Sequence, residues 1–178
     1  MPTIVHEFAW PDRVVVGTVG LPGSRTFYLQ VRSGTRIVSI ALEKQQSALL
    51  AEKIDEILDQ LITFEGNPFS IPTTTPMELV DNDPLEQPVA EGFRTGAMSL
   101  GWDPSTVQVV IEAYPISDEG ESLDPAQAAE MLLVRIPVGT ARAFAKRTRE
   151  VVGAGRPLCP FCGYPVDPDG HTCTLPDA

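Results

Sequence analysis

The chain has 178 residues, 43% of them hydrophobic and 21% charged, with 13 bases against 24 acids and a formal charge of -11. That much apolar side chain excludes wholesale disorder, and the acidic total excludes a general polyanion coat, whose surface would need the opposite sign. No run approaches the roughly 18 consecutive apolar residues of a membrane helix, and the first residues lack the basic and apolar regions of a secretory signal, so a cytoplasmic protein is expected.

Residues 12–20 (DRVVVGTVG) and 25–32 (RTFYLQVR) are β-branched and aromatic runs joined through Pro22 and Gly23, the signature of a hairpin. RIVSIAL at 36–42 alternates as a third strand. From Glu43 the period becomes helical, with Leu50, Ile54, Ile57, Leu58 and Leu61 on one face, which predicts a helix over 43–63. Residues 64–91 hold five prolines and no period and read as an extended acidic connector, ordered in part by Phe64, Phe69 and Ile71. A second hairpin follows at 93–102 and 106–115, then an acidic loop, a strand at 131–137 and an amphipathic helix at about 139–152.

The expected fold class is therefore α+β. Two sequential β-β-β-α units, residues 1–63 and 92–153, form one antiparallel sheet or two with two packed helices, and residues 154–178 make a small C-terminal module. Charge is unevenly divided between these parts. Residues 43–130 contain eighteen acids and three bases, whereas 131–156 contain one acid and six bases. Arg142, Lys146 and Arg149 fall at helical spacings of four and three, and with Arg156 they are candidates for binding a partner or an anion. The alternative is an internal role, bridging to the acidic half.

The tail carries all three cysteines, as Cys159-x2-Cys162 followed by His171-x-Cys173. Two closely spaced pairs of soft or borderline donors can supply the four corners of a zinc tetrahedron. With four protein ligands the site is closed, which points to structural rather than catalytic zinc. The histidine and the spacing disfavour an iron–sulfur cluster. Gly163 lets the backbone turn beside the thiolates, and a segment this short would fold on binding its metal.

Other features read as structural. Gly17, Gly20 and Gly23 precede a strand rather than open a helix, so no nucleotide fingerprint is met. His6 stands in no nucleophile motif and reads as an edge-strand or terminal histidine, and the acids at 117–124 lack a calcium loop's spacing. No catalytic motif is recognisable, so the leading reading is a non-enzymatic protein-binding or adaptor protein. An enzyme or sensor holding an anionic metabolite through Arg25 or Arg94, in a cleft between the units, is the alternative, and a nucleic-acid-associated zinc protein is a weaker third reading.

The words FYLQVRSG at 27–34, LEKQQ at 42–46, RAFAKR at 142–147 and CPFCGYPVDPDGHTC at 159–173 together resemble an uncharacterised family of actinobacterial proteins, a domain-of-unknown-function family, over essentially the whole chain. The resemblance places the family's CPxCG and GHxC words on Cys159, Cys162, His171 and Cys173. It implies a cytoplasmic protein encoded near a phosphoinositide-kinase-like protein and a histidine-phosphatase-type protein, and it assigns no activity. Family tails often continue Cys-Pro-Arg, whereas Thr174, Leu175 and Pro176 follow Cys173 here, so any role of a terminal arginine is not carried over.

Overall fold

The computed structural model describes residues 4–20, 24–64, 66–116 and 128–153. The strands are β1 (Ile4–Phe8), β2 (Arg13–Val19), β3 (Thr26–Ser33), β4 (Arg36–Leu42), β5 (Glu91–Asp103), β6 (Gln108–Pro115) and β7 (Glu130–Pro137); the helices are α1 (Lys44–Ile62) and α2 (Val138–Gly153). A 3-10 turn, Met77–Leu79, lies between α1 and β5. The α+β class and the two β-β-β-α units are both present, as β2-β3-β4-α1 and β5-β6-β7-α2.

The seven strands form a single sheet in the order β1-β7-β6-β5-β4-β3-β2. It is mixed, not antiparallel as the hairpin pattern suggests: β4 and β5 join the two units side by side in parallel, and β1 lies parallel to β7. β1 is also an element that the sequence did not announce. Its five residues, IVHEF, alternate only briefly, and its partner residues begin with Glu130, far along the chain.

Alternation in the strands makes the core. Val14 and Val16, Leu29 and Val31, Ile40 and Leu42, Val109 and Ile111, and Val134 and Ile136 point to one face and join Leu50, Ile54 and Leu58 of α1 and Ala141, Phe144 and Ala145 of α2 in one buried cluster. Both units thus share one core.

The sheet is strongly curled. Laid flat at about 4.8 Å per gap, seven strands would hold β1 and β2 about 29 Å apart. Only residues 9–12 connect these two edges, a reach of at most about 18 Å. β5 changes partner along its length, pairing with β4 over Glu91–Arg94 and with β6 over Thr95–Asp103, with a register shift between Thr95 and Met98. The curl lets Arg36, at the start of β4, donate to the Glu7 carbonyl on β1 (3.0 Å) and lie over the Phe8 ring.

The connector is more firmly held than its composition suggests. Ile71 is buried, with its backbone N–H and C=O both bonded to the Asn67 side chain, and Phe69 meets Trp102 edge-on at 5.1 Å, whereas Phe64 is exposed. Farther on, Leu85 is buried against Gly17, where a side chain would collide: an added Cβ would sit 2.5 Å from the Leu85 Cγ.

Candidate functional site

The basic face of α2 is spent on the rest of the molecule. Arg142 is only 5% exposed. Its Nη1 donates to Asp55 Oδ1 at 2.8 Å, its Nη2 to Asp59 Oδ1 at 2.6 Å and its Nε to the Pro72 carbonyl at 3.0 Å. Burial works against the Arg142 charge, but the hydrogen bonds to Asp59 and Asp55 outweigh it and hold the pKa above the usual arginine value. Arg149 pairs with the other oxygen of Asp55, and Lys146 pairs with Glu150 one turn on at 2.9 Å. The expectation that Arg142 offers a contact surface is corrected here: its fork welds α2 to α1 and the connector, the internal bridge that charge counting also allowed. Arg149 is exposed and Lys146 half-buried, and Arg156 lies outside the described residues.

A second cluster, built on Arg13 and Arg147, was not anticipated. Arg147 is 6% exposed and donates to the carbonyls of Val16 (3.0 Å), Asp81 (2.5 Å) and Asp83 (2.6 Å). Arg13 donates to both Asp81 carboxylate oxygens at 2.6 and 3.1 Å, and to the Asp83 and Pro84 carbonyls at 2.9 Å each. Arg32, which stands opposite Arg13 across β2 and β3, binds Glu86 at 2.8 Å. Like charges facing each other across strands are destabilising unless anions lie beside them; Asp81 and Glu86 supply those anions. Burial would raise the Asp81 pKa, but the Arg13 hydrogen bond and charge bring it below the ordinary carboxylate value. For Arg147, burial prevails and lowers the pKa despite attraction from Asp81. The signal available in the sequence was Arg147's place on the apolar side of α2, three residues after Phe144.

The four sequence-predicted zinc ligands, Cys159, Cys162, His171 and Cys173, lie outside the described residues. Among the described residues no group of three or more His, Cys, Asp or Glu side chains is arranged to hold a metal ion. His6 lies on edge strand β1, with Nε2 3.4 Å from Glu130 Oε2.

The junction between the two units is filled by the shared core, including Ile40 and Phe93. The two arginines considered for a cleft there do not converge on one. Arg94 pairs with Glu43, at the start of α1, while Arg25 lies over the Phe27 ring and donates to the Val152 carbonyl at 3.3 Å, at the end of α2.

Two open grooves flank α1. One, of about 870 Å³, runs beside the end of α2 and is acidic, with Glu52, Asp55, Glu56 and Asp59 in its walls. The other, of about 470 Å³, lies between α1 and β5 and is lined chiefly by apolar side chains. Its wall is fixed by Gln46, whose Oε1 accepts from the Glu43 N–H at 2.7 Å while its Nε2 donates to the Thr95 and Gly96 carbonyls at 3.1 and 2.9 Å. One side chain thus satisfies the first turn of α1 and also holds the bulge of β5. No helix among the described residues is long and apolar enough to cross a membrane.

No curated protein and no solved structure matches this chain. A family model does, over residues 6–173: the chain belongs to the DUF3090 family, described as proteins of unknown function.

Proposed function

We propose that this protein is a cytoplasmic, zinc-carrying adaptor that binds another protein and catalyses no reaction of its own. The observation that carries the reading is the donor set Cys159-x2-Cys162 and His171-x-Cys173. Four donors close the tetrahedron and leave no coordination position for an activated water, so the metal serves to fold a recognition module. Two features of the body support the reading. Arg142 and Arg147 of α2 are engaged internally, which argues against a phosphate-binding face, and the unit junction is packed with apolar side chains.

The phosphoinositide-kinase-like protein implied by the family resemblance is the first partner to try. The test is affinity purification of the full chain from its native cell, with and without chelator, scored for that partner. Recovery that is lost on chelation and absent with Cys159→Ser is the expected outcome. No co-purifying protein over a range of salt concentrations would contradict the adaptor role, and recovery indifferent to both treatments would remove zinc from it.

A further inference from the structure

The groove between α1 and β5 has a definite form. On α1, Leu49, Lys53 and Ile57 recur every four residues, and on β5, Gly96, Met98 and Leu100 alternate along the facing wall. From Leu49 to Ile57 its helical side is about 12 Å long, eight rises of about 1.5 Å each, close to two turns of an α-helix. Leu49 is 52% exposed, a large apolar side chain held in water on a helix whose neighbouring exposed positions are charged or polar. Among the described residues Lys53 is the only charged one in the lining, in a chain of net charge -11. It pairs with Glu56 at 3.3 Å, an exposed contact that takes up one of the three ammonium donors.

Resting on the adaptor reading, we propose that this groove is the partner's docking site and that its occupant is a short amphipathic helix of the partner. The helix would set two or three apolar side chains between Leu49, Met98 and Leu100 and place a carboxylate against Lys53. From Thr95 to Asp103 β5 is paired with β6 alone, so a strand added along its other edge is the competing occupant; it would bring apolar residues at alternate rather than helical spacing, and recovering such a segment at Leu49 overturns the proposal. The lysine lies midway along the rim, where a flanking carboxylate of a helix falls; an acyl chain would bring its carboxylate to one end.

The experiment places the photo-crosslinking amino acid benzoylphenylalanine at Leu49 of the full chain in its native cell. A control carries it at Leu79, which is equally apolar but packs beside Gly139 at the start of α2. The cross-linked peptide is sequenced, then synthesised and titrated against purified protein. The expected result is cross-linking at Leu49 but not Leu79, to a segment with apolar residues at helical spacing and a flanking Asp or Glu. Its affinity should fall about tenfold or more with Met98→Glu and with Lys53→Glu. Changing the peptide's acid to Lys should restore binding to the exposed-site variant Lys53→Glu. Cross-links to a second copy, to lipid or to nothing at Leu49 overturn the proposal, as does peptide binding indifferent to Lys53. A partner recovered by affinity purification without a Leu49 cross-link would leave the adaptor reading standing and remove only this site.

Discussion

Arg147 does what a lysine in its place could not. Its planar fork serves the carbonyls of Val16, Asp81 and Asp83 together, joining α2, edge strand β2 and the connector. Replacing it with methionine would keep much of the packing but strand those carbonyls and free Asp81 from one of its two arginines. We expect a loss of about 3 kcal/mol or more in urea unfolding, and little recovery with Arg147→Lys. Asp81 makes the cluster sensitive to acid. Its pKa is lower folded than unfolded, so its contribution is complete above the unfolded value of about 3.9 and is lost as pH falls through the depressed folded value. Stability measured from pH 6 downward should therefore decline less steeply in Asp81→Asn than in the parent, from a lower starting point. Charge counting treats every arginine of α2 alike; beyond Arg147's helical position beside Phe144, it is the fold that separates Arg147, facing β2, from Arg142, facing α1.

Among the elements, the period of the apolar residues made the two helices and six of the seven strands legible. The five-residue β1 and the parallel β4–β5 pairing were not, because both depend on partners distant in sequence. The connector shows the same limit. Its prolines exclude regular structure, but they do not reveal that Leu85 fills the space left by Gly17 or that Gln30 exchanges hydrogen bonds with the Glu86 backbone. Gly17→Ala should destabilise the protein by about 1–3 kcal/mol through overpacking, and in the Gly17→Ala, Leu85→Ala double variant the costs should fall short of their sum. Additive costs would mean that the two positions do not touch. Gln46→Ala removes a helix-capping acceptor and both donors to the β5 bulge, with an expected loss of about 1–2 kcal/mol. Faster amide exchange confined to the Thr95–Met98 stretch and the first turn of α1 would show that one side chain orders both.

For the molecule as a whole, a net charge of -11 describes no particular surface. Arg142 and Arg147 of α2 turn inward to the acids of α1 and the connector, while the apolar groove with its lone lysine faces outward on the other flank of α1. The zinc set proposed at Cys159, Cys162, His171 and Cys173 rests on a short sequence spacing, whereas the Arg142 and Arg147 contacts and the groove required the tertiary structure. Elemental analysis of the purified full chain tests the central claim most directly. The account predicts one zinc per chain, lost in Cys159→Ser together with protection of the tail from proteolysis; a metal-free protein whose tail resists proteolysis equally in both forms would contradict it.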